Sequence, residues 1–134
     1  MSKLTFHEVP TLHKPLENFH FATSFNGIVN VSCIQGFIPG TLTLVSDDPR
    51  LQAQQVVANL KTVLEACGAS LSTVLKFTLF LRDMSDFPAV NAVLNETWPC
   101  MPARSSVQAV IPRGCALAIE AVAAQLQLDA RDGQ

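Results

Sequence analysis

Residues 74–107 read VLKFTLFLRDMSDFPAVNAVLNETWPCMPARSSV, and this stretch decides the fold because it passes from strand to helix and back to strand. Val74 to Leu81 is rich in β-branched and aromatic side chains and alternates only partly. Such a run predicts a central strand buried on much of both faces. Ser85 or Asp86 then opens a helix, with Pro88 in the first turn, where its missing N–H has no helical partner to lose. Val90, Val93/Leu94 and Thr97/Trp98 recur at helical spacing and mark the apolar stripe. Pro99 and Pro102 break the chain there. Ser105 to Ile111 is the next strand.

Upstream lies a second helix with clear ends. Asp48 caps its free N–H groups and Pro49 suits its first position. Val56/Val57, Leu60, Val63/Leu64 and Cys67 form its apolar face, and Gly68 stops it. Before it, Asn26-Gly27 is a turn signal between two apolar runs, which gives a hairpin with strands near 19–25 and 28–34. Residues 4–9 read as a first strand, and 36–46, with Pro39-Gly40, as a loop with some extended character. At the other end, Pro112-Arg113-Gly114 makes a turn and Ala116 to Leu126 the last strand. Residues after Asp129 read as a polar tail. The order is β-β-β-α-β-α-β-β. This is an α+β sandwich with two helices on one face of a mixed six-stranded sheet. The other sheet face is left uncovered.

The 134 residues fit one domain, spanning 1–134. Of these residues 49% are apolar and 15% charged, so apolar surface is left over for a subunit interface. The net charge is −2 and the lysines and arginines are scattered, which disfavours a nucleic-acid partner. No apolar run approaches the roughly 18 residues of a membrane span. The N-terminal residues lack the basic-then-apolar order of a signal peptide. Cys33, Cys67, Cys100 and Cys115 form no C-x-x-C pair and match no zinc spacing, so reduced thiols in the cytoplasm are expected. His7, His13 and His20 show no ligand spacing, and neither a metal nor another cofactor is expected.

Three motifs stand in order along the C-terminal half. Phe80-Leu81-Arg82-Asp83-Met84-Ser85-Asp86-Phe87-Pro88-Ala89-Val90-Asn91 is followed by Pro102-Ala103-Arg104-Ser105-Ser106-Val107. Ile111-Pro112-Arg113-Gly114 and Ile119-Glu120-Ala121-Val122-Ala123 close the series. Together they resemble the Rid (YjgF-type) family, with its F-[LV]-x-D-M-x-D-F-x-x-V-N, P-A-R-[ST]-x-V and L-P-x-G…E-I-E-A-x-A segments. Gln52 and Asn59-Leu60 fall where the family's first helix has Gln and Asn-Leu. The resemblance implies a chorismate mutase-like fold and a homotrimer with ligand clefts between subunits. It also implies hydrolysis of reactive enamines and imines to keto acids and ammonia. Other members handle 2-aminomuconate or related metabolites, and some were first described as ribonucleases or translation inhibitors.

The resemblance makes Arg104 the residue that grips the substrate carboxylate, a task suited to its planar fork of donors. The plain alternative is a surface or interface salt bridge. Glu120 matches the second Glu of E-I-E-A, and Ala118 stands where the first, water-placing Glu is expected. Positions 118 and 120 share a strand face, about 6.6 Å apart along it. Glu120 is therefore the candidate acid–base group, with a structural carboxylate as the competing reading. Phe19 replaces the usual substrate-facing Tyr. Ser32-Cys33 replaces a Ser-Gly pair whose backbone approaches the ligand; Cys33 reads as a small buried hydrophobe rather than a nucleophile. Asn91 is expected to hydrogen-bond near the second helix or the cleft. Phe19, Ser32, Cys33, Asn91 and Ser106 are thus the expected substrate contacts. A chemical role for Cys100 is remote, and Trp98 is read as core before cleft. Besides a deaminase, the residues leave open a non-catalytic metabolite-binding or regulatory trimer.

Overall fold

The computed structural model describes residues 3–14 and 18–126. Strands β1 (Thr5–His7), β2 (Ala22–Phe25) and β3 (Ile28–Ile34) come first, then α1 (Pro49–Ala66), β4 (Val74–Leu81), α2 (Phe87–Thr97), β5 (Ala103–Gln108) and β6 (Leu117–Ala124). One six-stranded sheet runs in the order β1-β2-β3-β6-β4-β5. Only β4 and β5 are parallel, with α2 as their crossover. The expected order of elements and the mixed sheet are as observed.

Local chemistry sets the boundaries. Asn26 and Gly27 have φ of 52° and 80°, and both left-handed residues close a two-residue hairpin between Phe25 and Ile28. Asp48 Oδ1 accepts the Arg50 N–H at 2.9 Å, one of the orphan donors of α1. Gly68, at φ 77°, ends the helix, and the N–H groups of Gly68 and Ala69 turn back onto the Glu65 and Leu64 carbonyls at 3.2 and 2.8 Å. A single 3-10 turn, Met84–Asp86, precedes α2.

Several boundaries differ from the sequence reading. β1 and β2 are shorter than 4–9 and 19–25, because their pairing spans only Thr5–His7 against Ala22–Ser24. β5 starts two residues before Ser105 and stops at Gln108. Its extent is set by β4, whose last residue Leu81 pairs with Gln108. β6 is likewise trimmed at both ends, to Leu117–Ala124. The polar tail beyond Asp129 lies outside the described residues.

α1 and α2 cover one sheet face. Val56, Leu60, Val63 and Leu64 of α1 and Val90, Val93 and Leu94 of α2 are buried with Val29, Val31, Phe77, Leu79, Leu117 and Ile119. Trp98 belongs to this core: it stacks on Phe77 at 4.9 Å and donates its ring N–H to the Leu71 carbonyl at 2.8 Å. The opposite face has no second layer among the described residues. β4 is therefore central but buried on one face only, with Phe77, Leu79 and Leu81 inside and Lys76 exposed. Its greasy sequence reads as two buried faces because composition does not say whose atoms cover the second one. No helix among the described residues is long and apolar enough to cross a membrane.

Two buried amides of α1 pin the segment after β3. Asn59 donates to the carbonyls of Gln35 and Phe37 at 3.0 and 2.9 Å. Gln52 donates to the Ser46 carbonyl at 2.8 Å and accepts the Ala116 N–H at 2.9 Å. Leaving such groups unpaired would cost about 1–3 kcal/mol each. They fix the 35–46 segment and the start of β6 on the helix layer.

Candidate functional site

The pairing of β4 with β5 decides where Arg104 points. Phe77 pairs with Arg104 and Leu79 with Ser106, so both β5 side chains share the helix side of the sheet. β5 is an edge strand, so this side chain lies at the rim of the domain. Its guanidinium carbon lies 5.4 Å from the centre of the Phe87 ring, at the start of α2. Nη1 is buried and has no hydrogen-bond partner, and no carboxylate among the described residues pairs with the group. Among the described residues no internal salt bridge holds Arg104.

Asn91 lies four residues after Phe87 on α2, hence on the same helix face one turn along. Its Oδ1 is also buried and unpartnered. Arg104 Nη1 and Asn91 Oδ1 are thus a donor and an acceptor that are both buried without a hydrogen-bond partner among the described residues. Buried polar groups without partners are uncommon in folded proteins and call for a specific reason. Sequence reasoning missed Phe87. Its signal was the i, i+4 spacing to Asn91, but only the fold brings Arg104 over its ring.

The remaining candidates gather elsewhere. Val31 pairs with Ala121 and Ile34 with Ile119, so Ser32 and Cys33 form a bulge opposite Glu120. Ser32 Oγ donates to the Phe21 carbonyl at 3.1 Å, which ties the bulge to the β2 side. Burial, then the Glu120 charge, raises the Cys33 thiol pKa. That disfavours a nucleophilic thiolate, but Cys33 is half-buried rather than the buried hydrophobe expected from the sequence, because the bulge lifts it from the packed face. Glu120 pairs with Thr78 and Ala118 with Phe80, which puts residues 118 and 120 on the open sheet face. Glu120 is exposed there and lines a depression of about 290 Å³ with Asn30, Lys76 and Thr78. Ala118 is buried. Phe19 and Cys33 line a smaller cavity beside the Pro112–Gly114 turn. Within one protomer, then, Arg104, Asn91 and Ser106 lie on one side of the sheet and Glu120 on the other.

The histidines are spread out. His7 Nε2 lies 2.8 Å from Ser24 Oγ, His20 pairs with Glu8 at 3.6 Å, and His13 packs edge-on against Phe21. Among the described residues no group of three His, Cys, Asp or Glu is placed to hold a metal.

The sequence pattern of the family described as endoribonuclease L-PSP matches residues 11–125. A 2-iminobutanoate/2-iminopropanoate deaminase from Dermatophagoides farinae is 34% identical over 124 residues, 91% of this chain and 97% of that protein. The chloroplastic Reactive Intermediate Deaminase A of Arabidopsis thaliana is 38% identical over 104 residues, 76% of this chain and 56% of its own length. The crystal structure of RidA from an Antarctic Psychrobacter superposes with a TM-score of 0.83 at 31% identity, covering 90% of this chain and 98% of that one.

Proposed function

The chain belongs to the endoribonuclease L-PSP family, the Rid (YjgF-type) proteins, and from that premise we propose that it is a deaminase that hydrolyses small carboxylate-bearing imines and enamines to keto acids and ammonia. One observation carries the reading: the Arg104 guanidinium has a buried Nη1 donor with no acceptor among the described residues. The substrate carboxylate accepts from this fork, while Phe87 backs the guanidinium from the other side. Asn91 Oδ1 accepts the N–H of the protonated C=N group, which favours the more electrophilic form. Water adds to the imine carbon, its proton passes to nitrogen, and the carbinolamine loses ammonia as the C=O forms. An enamine first takes a proton on carbon to become the imine.

Glu120 is the proposed carrier of the water's proton. Its own Arg104 lies across the sheet, so the partner of this carboxylate is the Arg104 of a neighbouring protomer. A homotrimer with clefts between subunits meets that need, and the exposed apolar residues of the open face, Phe25 and Val107, support association. The test is keto-acid release from freshly generated 2-iminopropanoate, with light scattering for subunit number. No acceleration over buffer, or a monomer that turns over normally, rejects the proposal.

A second reading is favoured by two observations. Ala118 stands where the resemblance places a carboxylate, and Phe19 offers no hydroxyl. A positioned acid or base contributes about 10²–10⁴-fold, so their loss suits a metabolite-binding trimer without turnover. Keto acids that raise the melting temperature with no release of ammonia from any imine would select it.

A further inference from the structure

Cys115 is fully buried, takes no part in the proposed chemistry, and sits where the Pro112–Gly114 turn runs into β6. The turn itself is poorly held. Arg113 and Gly114 both have positive φ, at 64° and 70°, and a left-handed arginine is strained. Pro112 has no N–H to give. The turn's own backbone bond, from the Cys115 N–H to the Pro112 carbonyl, is long at 3.5 Å. The chain beyond it is anchored, because Gln52 of α1 accepts the Ala116 N–H at 2.9 Å.

Arg82, the first residue after β4, grips this stretch twice. Its backbone N–H donates to the Ala116 carbonyl at 3.0 Å, and its guanidinium Nη1 donates to the Gly114 carbonyl, also at 3.0 Å. The two bonds straddle Cys115. The side-chain bond is charge-assisted, and no carboxylate among the described residues pairs with Arg82. Burial pushes the Cys115 thiol pKa up, against the pull of its own backbone N–H and of the Arg113 and Arg82 charges, so both guanidiniums stand close to the thiol. The other side of the turn faces the cavity of about 140 Å³ where Pro112 and Arg113 stand with Phe19, Cys33 and His13. Burial and then the Arg113 charge lower the His13 pKa, as a guanidinium near that wall requires. Strain kept in a segment that lines a site needs a contact from outside to hold it. We propose that Arg82 is a positioning residue: its bond to the Gly114 carbonyl latches the Pro112–Gly114 turn to the end of β4 and so sets the wall that meets the substrate end remote from the carboxylate. The proposal rests on the deaminase reading for its substrate and gives Arg82 no contact with it.

Arg82→Met keeps the stem and removes the donor, and Arg82→Lys keeps one donor. Alkylation of the native full-length chain by iodoacetamide, followed cysteine by cysteine by mass spectrometry, reads the turn without any substrate. Cys115 in Arg82→Met is labelled about tenfold faster than in wild type, as expected when a local opening no longer breaks a charge-assisted bond, and Arg82→Lys falls between. Cys67, buried at the end of α1, keeps its wild-type rate, so the opening is local. With a longer imino acid as substrate, Arg82→Met raises KM more than it lowers kcat, and Arg82→Lys recovers part of the loss. Wild-type labelling of Cys115 in Arg82→Met overturns the latch, as does Cys67 labelling that rises in step, which marks general unfolding. Faster labelling with an unchanged KM overturns the positioning role. A wild type that releases no keto acid defeats the deaminase reading instead, and Cys115 labelling then still decides the latch.

Discussion

Replacing Arg104 by Met separates a ligand-binding arginine from a structural one, because the two roles move stability and activity in different ways. Met keeps the apolar stem and removes the guanidinium. The folded protein then loses the stack on Phe87, worth about 0.5–2 kcal/mol. It also sheds a buried donor with no partner, whose burial costs about 1–3 kcal/mol. The two nearly cancel. The melting temperature should stay within a few degrees of wild type, since about 1 kcal/mol shifts a domain of this size by roughly 4 °C. The substrate, in contrast, loses two charge-assisted hydrogen bonds of about 1.5–3 kcal/mol each. The value of kcat/KM should therefore fall by about 10²–10⁴-fold. Arg104→Lys keeps the charge without the planar fork and should fall between. Keto-acid formation from 2-iminopropanoate, read beside a thermal melt, gives both numbers. Wild-type kcat/KM in Arg104→Met, or a melt lowered by more than about 10 °C, would refute the reasoning.

Three further outcomes rest on particular contacts. Glu120→Gln should lower kcat more than it raises KM in the keto-acid assay, and an unchanged kcat would return Glu120 to a structural role. Gly36→Ala should destabilise by about 1–3 kcal/mol in urea titration, because a Cβ there would stand 2.8 Å from the Gln52 carbonyl oxygen of α1, a backbone atom that does not yield. Stability should fall as pH drops through 6.5, the ordinary His13 value: the unfolded imidazole takes its proton before the folded one, whose pKa is lowered, and His13→Gln should lose that part of the slope in melts from pH 8 to 5 (about the range in which His titrates).

The features legible ahead of the structure are the local ones. Asn26-Gly27 dictates its hairpin by backbone conformation alone, and Asp48-Pro49 and Gly68 bracket α1 by capping chemistry. β4 was legible to the residue because its apolar run has clear ends. β5 was not, since ARSSVQ is a weak strand on propensity and exists because β4 offers it a partner. Gln52 and Asn59 were visible only as a resemblance. Their physical reason is hydrogen bonding to backbone far away in sequence: Asn59 reaches the Gln35 and Phe37 carbonyls, 24 and 22 residues before it. The stack of Arg104 on Phe87 was equally hidden, since it needs both the parallel register and the position of α2. Cys33 shows the converse case. Its sequence neighbours supply nothing that would activate it, and in the fold Glu120 and burial push its thiol further from reactivity.

The displaced carboxylate bears on what the enzyme can hold. Moving a carboxyl from position 118 to 120 shifts it one ladder step, about 6.6 Å, along the same open face. The step carries it from beside Phe80 to beside Thr78, opposite the Ser32-Cys33 bulge. At that bulge a side chain stands where the resemblance places a glycine, so the backbone there cannot close as tightly on a small ligand. Both changes act in one direction. On the proposed reading, they move the proton-handling group away from the spot suited to a minimal imine and put bulk where a small substrate would sit. Phe19, lacking a hydroxyl and 42% exposed, adds apolar surface in the same neighbourhood. If Arg104 of one protomer anchors the acid end, the far end of the ligand meets these three residues on another. The proposed reading then predicts a higher kcat/KM for a longer, more apolar imino acid than for 2-iminopropanoate, because the extra length bridges the distance that the substitutions open, and equal or lower kcat/KM for the longer acid would refute it.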